Sequence, residues 1–151
     1  MWEQIITGQN LAYLGAAVAF LVAGLGSSKG VGLAGQTGAG VLTEDPSKFG
    51  SVMLLEALPS TQAIYGFVIA FLIIGKITGD MTLADGMHYL AAGLPIGIVG
   101  WISAIYQGKV AASGIQLIAK RGEALGSAIT LALMVEMFAI LALIVSILMI
   151  G

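Results

Sequence analysis

The sequence predicts an all-α membrane protein, with four transmembrane helices arranged as two tandem parallel hairpins. Three observations predict it. Of 151 residues, 58% are hydrophobic and only 9% charged, and the mean hydropathy is +1.02; water-soluble domains of this length do not have that balance. The apolar residues fall into four runs, each long enough for the roughly 20 residues that cross a bilayer as helix. The second half of the chain also resembles the first.

The spans are placed at Leu11 to Leu33, Gly50 to Gly75, Tyr89 to Ala112 and Leu125 to Ile150, with the first and third continuing as helix towards Leu42 and Ala119. The connections, around TEDPSKFG, KITGDMTLADGMH and KRGE, are too short for a nucleotide site or a soluble catalytic centre. Residues 1–151 are therefore expected to form a single membrane domain with no catalytic centre of its own. The opening MWEQIITGQN lacks the positive start of a signal peptide, so the first span is expected to be retained. With no cysteine, disulfides and thiolate metal sites are excluded.

Orientation follows from positive charge. Lys48, Lys120 and Arg121 lie in the first and third connections, which are placed in the cytoplasm. Lys76 lies in the second, so both termini are placed outside a cell membrane that the chain crosses several times. Trp2, Tyr89 and Trp101 are read as interfacial anchors, and His88 as a solvated loop residue.

The repeat runs from about 8–78 to about 86–151. GSSKGVGLAG, from Gly26, aligns with YQGKVAASGI, from Tyr106, at an offset of 80, and FGSVMLLEALPS, from Phe49, with LGSAITLALMVE, from Leu125, at 76. The difference of four residues is assigned to the connecting turn. Each copy holds two spans, so both insert in the same orientation, unlike an inverted-repeat transporter. Ser60 stands opposite Glu136.

GLGSSKGVGLAGQTGAG, from Gly24 to Gly40, is small on every face. Small residues let helix backbones approach closely in lipid. A helix small all round suits the crowded inner layer of a ring. A phosphate-binding loop is a poor reading, because no strand precedes the glycines.

Chemistry concentrates around Glu136, the one carboxylate in LALMVEMFAILALIVSILMI. A carboxylate at mid-bilayer costs roughly 2.5–3.5 kcal/mol on insertion scales, so it stays only if protonated, paired or bound to a cation. A protonated, purely structural glutamate is the plainer alternative. On the second span, Leu58, Thr61, Gln62 and Tyr65 share one helical face, beside Pro59, which has no N–H and loosens the carbonyls around it. Counting from the last turn puts Gln107 and Glu136 at one depth, where the Tyr65 phenol can donate to the carboxylate. Thr61, Gln62, Gln107 and Glu136 make an all-oxygen pocket with one negative charge. It suits Na⁺, whereas divalent ions normally recruit several carboxylates. A proton needs only the glutamate. Glu56 is read as an intramembrane pair with Lys29, or else as a second ion site, and Lys109 as snorkelling or pairing between subunits.

These residues resemble the proteolipid K subunits, the rotor-ring subunits of bacterial V-type ATPases, in particular the sodium-pumping ones. The likeness runs from about Gly24 to Leu148, and GSSKGVGLAG, LPSTQAIYGFVIAFLI, QGKVAASGIQ and MVEMFAIL carry it. It implies a ring of duplicated hairpins with the first and third helices inside. It implies that Glu136 carries Na⁺, with side-chain oxygens from Thr61, Gln62 and Gln107, a backbone carbonyl from Leu58 and a steadying hydroxyl from Tyr65. The implied partners are identical subunits, a stator subunit with an arginine, a central-stalk subunit and the lipid bilayer, with no organic cofactor and no nucleic acid. Glu56, in place of an amide, and Ser60, in place of the small residue often found before the threonine, depart from that pattern. The alternatives are an H⁺-carrying rotor, a small cation or multidrug antiporter, and a structural scaffold.

Overall fold

The computed structural model describes residues 6–151, so Trp2 lies outside the described residues. Helix α1 spans Gly8–Glu44 and begins where the Thr7 hydroxyl accepts the Asn10 N–H at 3.2 Å, an ordinary N-cap. A 3₁₀ turn, Pro46–Lys48, reverses the chain into α2, Phe49–Ala57. A second 3₁₀ turn, Leu58–Ser60, interrupts this span before it resumes as α3, Thr61–Ile74. Helix α4, Leu83–Lys120, starts at a capping box in which Thr82 and Asp85 each accept the other's backbone N–H. A third 3₁₀ turn, Gly122–Ala124, leads into α5, Leu125–Ile150.

With α2 and α3 counted as one span, four helices are long and apolar enough to cross a membrane. The first and third do extend beyond bilayer length, and the fourth has the bounds expected of it. Large apolar side chains cover the outside, among them Phe71 and Leu148. Trp101 falls midway along α4 rather than near a helix end, so an anchoring place for it is not seen. His88 is exposed and meets the ring of Tyr89 edge-on.

The core is made of backbone as much as of side chains. Along the α1–α4 contact the buried positions are mostly glycine and alanine, including Ala12, Gly15, Gly30 and Ala34 on α1. A methyl group added at Gly15, Gly30, Gly93 or Gly108 would overlap backbone atoms of the facing helix. Larger side chains could not be accommodated without driving the two helices apart.

The turns fix how the hairpins correspond. Asp45 has φ −139° and ψ 90°, and Arg121 has φ −139° and ψ 88°. The Asp45 N–H donates to the Val41 carbonyl at 2.9 Å, and the Arg121 N–H to the Leu117 carbonyl at 2.8 Å. Both turns are followed by three 3₁₀ residues, then by helix at Phe49 and Leu125. Each pair is 76 residues apart, and α1 and α4 run into their turns as unbroken helices. The offset of 80 for the first and third helices is therefore corrected to 76, and no extra residues lie in the turn. Small residues recur at every helical turn of these segments, so an alignment slips by four residues, about one turn, at little loss. At the corrected offset Ser27 corresponds to Ser103, Val31 to Gln107 and Ser60 still to Glu136.

Gly108→Ala is expected to destabilise the solubilised protein by about 1–3 kcal/mol, the range for overpacking. Gly126→Ala, where nothing lies within 4 Å of the added carbon, should change stability by less than about 1 kcal/mol. Thermal unfolding in detergent checks both.

Candidate ion-binding site

The site forms where the second span is broken. Pro59 is buried and has no N–H to give, and the local 3₁₀ turn leaves the Leu58 carbonyl accepting the Thr61 N–H and, at 3.0 Å, the Thr61 hydroxyl. Past the break, the Ala63 N–H donates to Ser27 Oγ on α1 at 3.0 Å, which ties the start of α3 to the inner helix. One turn of α3 then presents Gln62 and Tyr65 towards the second hairpin.

Glu136, on α5, is 5% exposed, while Gln62 and Gln107 are fully buried. The Tyr65 phenol donates to Glu136 Oε1 at 2.6 Å. Gln107 Nε2 donates to Glu136 Oε2 at 3.1 Å and to the Ala132 carbonyl at 3.3 Å. The carboxylate is thus held by two neutral donors. Hydrogen bonds to a charged group are worth about 1.5–3 kcal/mol each, comparable to the cost of placing the acid in the membrane.

Behind the acid, Gln62 Nε2 donates to Gln107 Oε1 at 2.6 Å and to Ser103 Oγ at 3.4 Å. This leaves Gln62 Oε1 as a buried oxygen with no hydrogen-bond partner. A buried acceptor left alone costs about 1–3 kcal/mol and calls for an explanation. A cation supplies one, since Gln62 Oε1, Thr61 Oγ1, the Leu58 carbonyl and the Glu136 carboxylate are all hard oxygens. With Glu136 as the single carboxylate among neutral oxygens, the donor set suits a monovalent cation better than a divalent or transition metal.

The structure thus brings together Tyr65, Gln107, Gln62 and Glu136, with Leu58 and Thr61 bonded to each other beside Pro59. It does not bring Lys29 and Glu56 together. Lys29 is exposed on α1, while the Glu56 carboxylate lies against Gly35, more than a helical turn further on. Lys109 sits over the Tyr106 ring, 4.7 Å from its centroid, as a cation–π pair.

Three serines escaped the sequence reading. Ser103 donates to the Val135 carbonyl at 3.0 Å while accepting from Gln62, so it bridges the ion-site amide to α5. Ser146 accepts the Ile96 N–H at 3.2 Å beside Pro95, a proline that α4 carries inside the helix. Ser27 completes the set. The signal was there for two of them, because Ser27 and Ser103 are counterparts at the offset of 76, and it was hidden by the alignment at 80.

The family model for the C subunit of ATP synthase matches this chain twice, over residues 14–73 and 90–149. The chain belongs to that family. Both matches are 60 residues long and begin 76 apart, in agreement with the turn geometry. The chain is 45% identical to the V-type sodium ATPase subunit K of Enterococcus hirae, over 99% of this chain and 98% of that one. It is 40% identical to the A-type ATP synthase subunit K of Methanocaldococcus jannaschii, over 92% of this chain and 61% of the relative. With the 16 kDa proteolipid of the V-type proton ATPase of Homo sapiens the identity is 25%, over 91% and 89% of the two chains. The family assignment makes the chain a membrane subunit of a rotary ATPase rather than a catalytic one, and separates it from small antiporters.

Ser27→Ala leaves the Ala63 N–H without its oxygen partner. It should lower stability by about 1–3 kcal/mol, read as a fall in the thermal midpoint of the solubilised protein.

Proposed function

We propose that the chain is a rotor-ring subunit of a V-type ATPase that carries Na⁺, as cargo, on Glu136. The ligands are the Glu136 carboxylate, the Gln62 and Gln107 side chains, Thr61 Oγ1 and the Leu58 carbonyl. Tyr65 steadies the carboxylate and Pro59 opens the backbone that exposes the carbonyl. One observation carries the reading above the rest: the buried carboxylate is held by neutral donors, and Gln62, bonded to one of them, keeps a buried amide oxygen with no partner. The similarity to a sodium ATPase subunit along almost the whole chain supports the same ion.

Residues 8–78 and 86–151 act as the two halves of one membrane domain. The connections holding Lys48, Lys120 and Arg121 face the cytoplasm and the central stalk, and both termini face outwards. ATP is hydrolysed by separate soluble subunits, whose stalk turns the ring. With Na⁺ bound, the site is neutral and can travel past lipid; without it, the ionised glutamate cannot, by the cost of an unpaired charge in hydrocarbon. At the stator, an arginine of that subunit pairs with Glu136 and releases the ion into an exit path. The chain's own contribution is to hold, orient and shield one cation.

A proton-carrying rotor is the second reading, favoured by the likeness to a proton ATPase proteolipid. Carbodiimide labelling separates them, since the reagent takes the protonated carboxyl. At mildly acidic pH Glu136 should label, and millimolar Na⁺ should protect it; labelling indifferent to Na⁺ would leave only the proton rotor. Tyr65→Phe removes one hydrogen bond to the carboxylate and should raise the protecting Na⁺ concentration about tenfold, equivalent to ~1.4 kcal/mol. Glu136→Gln should abolish Na⁺ transport in vesicles while the ring still assembles on native gels.

A further inference from the structure

We propose that Ser103 is a positioning residue: it fixes which end of the Gln62 amide faces the cation, and so sets the affinity for Na⁺ while leaving that for a proton alone. The inference rests on the sodium reading of the site. Its basis is the direction in which hydrogen bonds run through two buried amides.

A glutamine side chain has one end that only donates and one that only accepts, and the two are nearly alike in shape. A cation takes the oxygen end; a reversed amide would aim N–H groups at it. Gln107 is held by groups that accept, since its Nε2 donates to the Ala132 carbonyl at 3.3 Å and to Glu136 Oε2 at 3.1 Å. Its oxygen is thereby turned to Gln62, whose Nε2 donates to it at 2.6 Å. The other bond from Gln62 Nε2 goes to Ser103 Oγ at 3.4 Å. A hydroxyl has a single hydrogen, and Ser103 gives its own to the Val135 carbonyl at 3.0 Å. Ser103 therefore meets Gln62 with lone pairs alone.

Two backbone carbonyls of α5, at Ala132 and Val135, set this direction, because neither can donate. Reversing Gln62 would put its oxygen against Gln107 Oε1 and Ser103 Oγ, with no hydrogen on either to receive it. The amide is thus locked with Oε1 as the buried oxygen that has no partner. Gln62 is fully buried and Ser103 is 4% exposed, so bulk water does not stand in for a lost bond.

Loading makes Ser103 matter more. Gln107 Oε1 is among the proposed ligands, and a cation that draws on it competes with its bond to Gln62. Ser103 Oγ is then the acceptor that keeps Nε2 turned away from the ion. A proton makes no such demand, because Glu136 is held by Tyr65 and Gln107 and not by Gln62. A serine that merely tied α4 to α5 would alter stability and leave the choice of ion unmoved.

Carbodiimide labelling of Glu136 in the intact ATPase in native membranes reads both ions: the Na⁺ concentration that half protects, and the pH profile without Na⁺. Ser103→Ala should raise the protecting Na⁺ concentration about three- to tenfold, the worth of one neutral hydrogen bond, and leave the pH profile in place. Ser103→Thr keeps the hydroxyl and should restore the wild-type value. Ser103→Cys, nearly the same size but a weak acceptor, should shift Na⁺ protection in the same direction as Ser103→Ala, so the test survives if the alanine ring fails to assemble on native gels. In a Gln62→Ala background no amide is left to orient, and Ser103→Ala should add nothing further. Unchanged Na⁺ protection in the alanine and cysteine variants would overturn the proposal. So would an equal displacement of the pH profile, or a full additional effect without Gln62. Wild-type labelling that ignores Na⁺ would overturn the sodium reading and this inference with it, whereas wild type and variants protected alike would overturn this inference alone.

Discussion

The backbones of α1 and α4 touch, and the rest of the structure depends on it. Lipid offers no hydrophobic drive to bring helices together, so association rests on packing and on polar contacts. Glycine at Gly15, Gly30, Gly93 and Gly108 removes the side chains that would keep the inner helices apart. That closeness is what allows an amide from α3 and an amide from α4 to meet at 2.6 Å in the middle of the molecule. Were the two helices separated by even a pair of methyl groups, the Gln62–Gln107 bond would open, and Glu136 would lose the first hairpin's phenol and keep only Gln107. The glycine contact and the ion site are thus one design: the first sets the distance at which the second works.

A carboxylate in a membrane has two stable conditions, neutralised or paired, and the surroundings of Glu136 favour the first without imposing it. Tyr65 and Gln107 are neutral donors, so they hold the acid in place and add no permanent counter-charge. A lysine in Gln107's place would form a buried pair and keep the acid charged whatever the ion concentration. With amides and a phenol instead, occupancy is left to the ion. The unpartnered Gln62 oxygen works in the same direction, since its desolvation is offset only when a cation is close. Exchange is built into the choice of side chains.

The helices were legible in the sequence because membrane solvent makes them so: every backbone polar group must be satisfied internally, and long apolar runs leave only helix. The Leu58–Tyr65 cluster was legible for a related reason, as polar groups at bilayer depth stand out against hydrocarbon. Depth counting placed Gln107 beside Glu136 because helical rise is fixed, and it succeeded without the repeat. The repeat itself was misread on the inner helices. Lysine and glycine matched at 80 because packing needs small residues at each turn and is indifferent to a slip of one turn, whereas the turn hydrogen bonds at Asp45 and Arg121 are not. The Lys29–Glu56 pair failed for a different reason. Comparing depths says nothing about which side of a helix a charge occupies, and Glu56 points to Gly35 while Lys29 points outwards.

In the site proposed here the two hairpins are complementary halves rather than a site and a spare: the first would supply Leu58, Thr61, Gln62 and Tyr65, and the second Gln107 and Glu136. A hairpin carrying both halves would give an ion at every junction of a ring. Here each hairpin lacks the half the other provides, since Ser60 replaces the acid in the first and Phe138 replaces the amide in the second. Halving the ions per turn doubles the work that a fixed amount of ATP can put into each. Moving one charge across 100 mV takes about 2.3 kcal/mol, so the same hydrolysis energy shared among fewer ions sustains a steeper gradient. With one ion-carrying acid proposed per four helices, the arrangement suits a pump working uphill, and that gearing follows from which side chains each hairpin carries.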